Sequence, residues 1–304
     1  LADAVIDQEL YDAIISRRSV RRYADKSVPE ETRRQIAEFA MRVKPLVPEN
    51  RFSYSVLPIE GKSEELAVVM GGYGKLVSAR HLLLPRIQGD ASVLEDFGYR
   101  VEQLVVELTR LGLGSCYIGS LGHEAEALDR FGSPPGERMP AVVVFGFPST
   151  ATAGRGFNRM IRSAIGADRS LQFDKFVFCR GTARHAEPAS SFSKPAELNP
   201  FQEKIMDALR HAPSAGNSRP WRVVIHEGLA YYCVTQNTPY YRMAKAVRLG
   251  YHLLDAGIGM ANVSLAMVAL GREARWELVG DQPETRQMLG LAPDVQLIGT
   301  IRLN

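Results

Sequence analysis

A chain that repeats its own landmarks restricts the folds open to it, and this one does so. Lys204 to Leu209 (KIMDAL) resembles Gln35 to Ala40 (QIAEFA), and Trp221 to Ile225 falls where Phe52 to Val56 fell. Asp255-Ala256-Gly257 opens a helical pattern as Asp96-Phe97-Gly98 does, and Leu270-Gly271 closes it as Leu111-Gly112 does. Residues 295–303 form a strand pattern carrying Gly299, as residues 142–147 carry Gly146. Helix-then-strand patterns recur by chance in mixed proteins, but landmarks in one order at similar spacing argue for an internal duplication. The expected division is a first half over 1–178, a linker over 179–200 and a second half over 201–304. The linker rests on Pro188, Ser190, Ser191, Ser193, Pro195 and Pro200 with few large apolar residues between them.

Within each half the periodicities are mixed. Residues 6–16 and the stretch from Pro29-Glu30-Glu31 through Phe39 are helical, the second with acid in its first turn. Phe52 to Leu57 alternates like a strand, and His81 to Leu84 and Ala141 to Phe147 are apolar runs of strand type. Phe97, Val101, Leu104, Val105, Leu108 and Leu111 mark a long amphipathic helix over 95–111 that Gly112 ends.

The 304 residues are 45% hydrophobic with a net charge of +3, which makes no general case for nucleic acid or an anionic membrane. No apolar run was found of the about 18 residues that a membrane span needs. Cys116, Cys179 and Cys233 lie far apart, which fits a reducing compartment better than a disulfide framework, and no cysteine or histidine spacing points to a metal. The first residues show no basic segment followed by an apolar core, so a cytoplasmic protein is expected.

Two segments carry chemistry. Arg17-Arg18-Ser19-Val20-Arg21-Arg22-Tyr23 follows a helical run. Its guanidinium groups are permanently charged forks suited to phosphate, and in an extended segment Ser19 and Arg21 share a face. The same residues also read as a solvated basic turn. Pro213-Ser214-Ala215-Gly216-Asn217-Ser218-Arg219-Pro220-Trp221 follows the helix containing Leu209. Gly216 permits close backbone approach, Ser214 and Asn217 offer side-chain donors, and Trp221 can pack beneath. An ordinary helix-to-strand connection reads the same way. Lys44, Pro45 and Pro48 stand where the second half has Pro213, Ser214 and Asn217. The second half in turn has nothing like the arginine cluster, so each half keeps what the other lacks.

These two segments resemble the signatures of the nitroreductase-like FMN flavoproteins, and Gly112 to Gly119 (GLGSCYIG) resembles that family's loop after the long core helix. The likeness covers nearly the whole chain outside 179–200 and is closest to a fused branch in which two halves imitate the family's dimer. It implies an α+β fold: two halves, each a central mixed or antiparallel sheet flanked by helices, packed as an intramolecular pseudo-dimer. It also implies FMN as cofactor. Arg17, Ser19 and Arg21 match positions that hold the phosphate, ribityl chain and pyrimidine edge, and Arg18 one that contributes backbone. Lys75 matches a lysine near the flavin N1–O2 edge, and Ile118 and Gly119 a loop whose N–H faces N5. Pro213, Ser214 and Asn217 match the partner subunit's loop, and Arg169 is a weak match to a late phosphate contact. Arg219 departs from the usual glutamine before Pro-Trp, and the first half's own loop is lost, so one FMN per chain is expected.

NADH or NADPH would be the transient donor and a small electrophile such as a nitroaromatic or quinone the acceptor. The flavin carries the hydride chemistry, so no catalytic side chain is expected. The rivals are a flavin-binding protein with little turnover and an FMN-dependent oxidase or dehydrogenase of one metabolite. No nucleic-acid or membrane partner is expected, and further pairing of chains is left open.

Overall fold

A computed structural model describes residues 6–59, 77, 79–120, 123–164, 171–179, 197–243 and 249–303. The chain divides into two compact units, residues 12–168 and residues 1–11 with 169–304. Helix α1 (Gln8–Ser16) begins in the second unit, where the Asp7 N–H bonds the Ala269 carbonyl and the Tyr11 hydroxyl donates to the Lys204 carbonyl.

The first unit contains α2 (Glu30–Ala40), β1 (Arg51–Pro58), β2 (His81–Gln88), α3 (Val93–Arg110), β3 (Gly114–Gly119), α4 (Glu124–Arg130), β4 (Ala141–Gly146) and α5 (Thr152–Ala164). Its sheet runs β1-β2-β4-β3, antiparallel throughout. Strand β2 is buried along most of its length because it lies between two neighbours, which explains its unbroken apolar run. Pro85 is tolerated in it because β4 pairs only with His81 to Leu83, so the missing N–H falls beyond the ladder on that side. Helix α3 is buried along nearly its whole length, and its polar residues Asp96, Arg100, Glu102 and Gln103 are buried with the apolar stripe.

The second unit contains β5 (Val177–Cys179), α6 (Pro200–His211), β6 (Trp221–His226), β7 (Leu229–Thr235), α7 (Pro239–Met243), α8 (Tyr251–Ala269), β8 (Glu277–Leu278), α9 (Pro283–Leu289) and β9 (Val295–Arg302). Its sheet runs β5-β6-β7-β9-β8. Without β5 the order is first, second, fourth, third, as in the other unit. The two long helices also close alike: the Leu113 N–H reaches the Leu108 carbonyl after α3, and the Arg272 N–H the Met267 carbonyl after α8.

Three expectations are corrected. The first sheet's unit stops short of 178: β5 pairs in parallel with β6, and Val223 N–H bonds the Phe176 carbonyl, so residues 171–179 belong to the second unit. Most of the expected loop over 112–119 is strand β3 (Gly114–Gly119), because β4 supplies a full ladder from Gly114 opposite Gly146 to Gly119 opposite Ala141. By length and composition α8 could cross a membrane, with mean hydropathy 1.3, although no such run was expected. It is the core helix of its unit, 83% of that stretch being buried. Of the expected linker, residues 180–196 lie outside the described residues. Its far end is structured: Asn199 caps α6 and shares a reciprocal capping box with Gln202.

Candidate functional site

The arginine segment leaves α1 and runs along the open edge of β3. Ser19 bridges Ser115 in parallel, and the Val20 N–H bonds the Ser115 carbonyl at 2.9 Å. Close approach is possible because Gly114 has no side chain: a Cβ there would lie 2.7 Å from Val20 Cγ2. Farther on, Tyr23 bridges Pro148 and donates to the Val20 carbonyl at 2.5 Å. Asn158 of α5 fixes the bend between these contacts, its Oδ1 accepting from the Arg21 and Arg22 N–H groups at 3.0 and 3.2 Å.

Extended geometry then sends alternate side chains one way. Arg17 and Arg21 are buried, and both, with the Ser19 hydroxyl, act on Cys116. Burial pushes the Cys116 thiol up, against the pull of Arg21, Arg17 and the Ser19 hydrogen bond, so it stays a neutral thiol. Arg17 Nε stands 3.9 Å from Glu102 Oε1, and the Tyr117 hydroxyl donates to Glu102 Oε2 at 2.8 Å. Burial raises Glu102 to about 7, opposed by Arg17 and by the Tyr117 hydrogen bond. Arg18 is exposed and turns back, donating to the Ile15 and Arg17 carbonyls at the end of α1.

Strand β3 also sorts the two expected backbone donors. The Ser115 carbonyl faces Val20 and the Ser120 N–H faces the Pro140 carbonyl. Alternation therefore turns the Ile118 N–H toward β4 and the Gly119 N–H away from it.

In the second unit, the segment after α6 is a tight turn with Gly216, Asn217 and Arg219 all at positive φ (57°, 55° and 47°). Two of them are not glycine, a backbone cost of order 1–3 kcal/mol each that the surroundings must hold in place. Gly216 has no alternative, since a Cβ there would meet Tyr240 Cδ2 at 2.3 Å. Ser214 Oγ accepts from the Arg219 N–H at 2.9 Å, and Asn217 Oδ1 from Arg219 Nε at 3.2 Å. The Ala215 N–H donates to Asp255 Oδ2 of α8 at 2.8 Å, and the Tyr241 hydroxyl donates to the same oxygen.

The first unit repeats the backbone bond: the Leu46 N–H donates to Asp96 Oδ1 of α3 at 2.8 Å, as the Ala215 N–H does to Asp255. Asp96 and Asp255 therefore anchor the corresponding segments, 44–50 and 213–219. In the first unit Gln103 also accepts the Lys44 N–H. Pro213 has no N–H to offer at that place, and Asn262 bonds the Ala208 carbonyl instead.

The structure thus brings together Arg17, Ser19, Arg21, Ile118 and Gly119 in one unit, and Pro213, Ser214 and Asn217 in the other. Lys75 and Arg169 lie outside the described residues. Sequence reasoning missed Glu102 and Asn158, and took Asp96 and Asp255 only as helix landmarks. Among the described residues no cluster of potential metal ligands occurs.

A sequence family described as "Putative TM nitroreductase" matches residues 9–276. The chain belongs to this nitroreductase family. Membership places it among oxidoreductase enzymes. No curated protein matches it. Among solved structures, a putative nitroreductase from Thermotoga maritima is similar at 19% identity over 97% of this chain and 94% of that one, with a TM-score of 0.56. That likeness shows a shared nitroreductase fold along nearly the whole chain. An NADPH:FMN oxidoreductase from Vibrio harveyi complexed with NAD+ is 20% identical over 47% of this chain and 70% of its own, with a TM-score of 0.41. A putative nitroreductase from Desulfovibrio desulfuricans in complex with FMN is 24% identical over 46% of this chain and 87% of its own, also at 0.41.

Proposed function

We propose that this nitroreductase-family protein is an FMN-dependent oxidoreductase that takes electrons from NADH or NADPH and passes them to small electrophiles such as nitroaromatics or quinones. The observation that carries the reading is the donor set along β3: Arg17, Ser19 and Arg21 converge on one face, beside a backbone edge that presents the Gly119 N–H. Guanidinium groups with a hydroxyl suit a phosphate, and outward N–H groups suit the polar edge of a planar ring. These residues therefore fit FMN. Bound FMN would supply the hydride chemistry, while the chain binds and orients it.

The proposal includes one FMN per chain, held by residues 17–21 with residues 213–219. Its support is the complementary loss in the two halves. Lys44, Pro45 and Pro48 replace the donors of the loop in one, and the other has only the two-residue β8 where the first has the six-residue β3. In the same reading the two units derive from an internal duplication, supported by their shared strand order, and the protein is cytoplasmic.

The test is to add FMN to protein freed of it, then mix with NADH or NADPH without oxygen. Uptake followed by bleaching of the flavin band is expected. A protein that takes up no FMN sinks the proposal, and uptake without bleaching by either nucleotide sinks its reductase part. Arg17→Ala combined with Ser19→Ala should abolish uptake, and unchanged uptake would remove the site from these residues.

A further inference from the structure

Two neighbouring arginines of the 17–23 segment face opposite ways, and α5 takes one of them. The Arg22 guanidinium lies over the Phe157 ring of α5, 4.4 Å from its centroid. Arg21 is 6% exposed and acts with Arg17 and Ser19 on Cys116 of β3. The backbone that sorts them lies between two bridges, Ser19 to Ser115 and Tyr23 to Pro148. The Val20 N–H bonds the Ser115 carbonyl of β3, and the Ala24 N–H bonds the Phe147 carbonyl after β4. The N–H groups of Arg21 and Arg22 fall between these contacts, and Asn158 Oδ1 accepts from both. Its Nδ2 donates at 3.4 Å to the Arg22 carbonyl, which also receives the Ser149 N–H at 3.1 Å. One carboxamide thus meets both the N–H and the C=O of Arg22, as a neighbouring strand would. Asn158 is itself 8% exposed, so little water reaches the two N–H groups to replace it.

We propose that Asn158 is the positioning residue of Arg21: its carboxamide fixes the 21–22 backbone so that Arg22 faces α5 while Arg21 joins Arg17 and Ser19 on the ligand face. The inference rests on the reading that this face takes FMN. The two N–H groups flank the Arg21 α-carbon. Holding both on one oxygen therefore fixes φ and ψ of Arg21, and with them the direction of its side chain. Without the acceptor two buried donors are left unpaired. The segment can recover them only by turning these peptides, which carries the Arg21 guanidinium off the face.

The experiment measures FMN dissociation constants for wild type, Asn158→Ala, Arg21→Ala and the double variant, at a temperature well below the unfolding of each. Asn158→Ala should bind FMN about tenfold more weakly, the loss of a bond to a charged group. In the Arg21→Ala background the same change should cost about twofold or less, because no guanidinium remains to be misplaced. A merely structural role of Asn158 gives equal losses in both backgrounds, and that result overturns the proposal. An Arg21→Ala variant that binds FMN like wild type overturns it too. If Asn158→Ala does not fold, Asn158→Gln, which sets the carboxamide one methylene farther out, takes its place in the cycle. Wild type that takes up no FMN counts against the flavin reading alone. Ligand-free crystal structures of wild type and the Asn158 variant then decide the positioning: the Arg21 guanidinium should leave Cys116 in the variant, and an unmoved side chain overturns the proposal.

Discussion

Asn158 accepts from two successive backbone N–H groups of the arginine segment. Asn158→Ala leaves both donors without their acceptor and should cost about 1–3 kcal/mol in urea unfolding. An unchanged unfolding midpoint would show that the bend is held by other contacts. Glu102 gives a second prediction at this scale, with a sign. Its folded value of about 7 lies above its ordinary 4.5, so its contribution is complete below about 4.5 and lost as pH rises through about 7. Glu102→Gln should therefore gain on wild type between about pH 4.5 and about pH 7.5, by on the order of 3 kcal/mol. Unfolding curves at the two ends would check it, and equal shifts in both proteins would refute it. Neither residue was legible as a partner in the sequence. Asn158 sits between Arg155 and Arg159 in a stretch with little apolar pattern, and Glu102 sits inside the apolar stripe of α3.

Elements were legible where one periodicity dominated. Helices α3 and α8 and strands β1, β2, β4 and β6 fall where their patterns put them, because burial of a stripe or a face is written into residue spacing. Strand β3 was not legible: Gly114, Ser115 and Gly119 read as a loop, and only the ladder to β4 makes them extended. Helix α6 offers a test of local encoding. Its capping box joins Asn199 and Gln202, three residues apart, so Asn199→Ala should cost about 1 kcal/mol. Faster amide exchange confined to the first turn of α6 is the expected signature, and exchange identical to wild type would show the cap to be idle.

At the scale of the whole molecule the expected outcome is a stoichiometry. Titration of FMN into protein freed of it should saturate at one per chain, since each half lacks one part of the donor set that the other retains. Saturation at two would mean that the segment around Lys44, Pro45 and Pro48 still serves a ligand. By itself the sequence determined the repeated order of elements, the family, and the arginine and Pro-Ser-Asn segments, because these are local patterns of residue type and spacing. Tertiary structure alone decided which groups those segments lean on. It set Asp96 and Asp255 under corresponding amides, turned Gly119 outward and Ile118 inward, and gave Asp96 the Arg100 guanidinium and Asp255 the Tyr241 phenol. Such choices depend on which side chains burial brings within a few ångströms across tens of residues of chain, and spacing along the sequence does not record that.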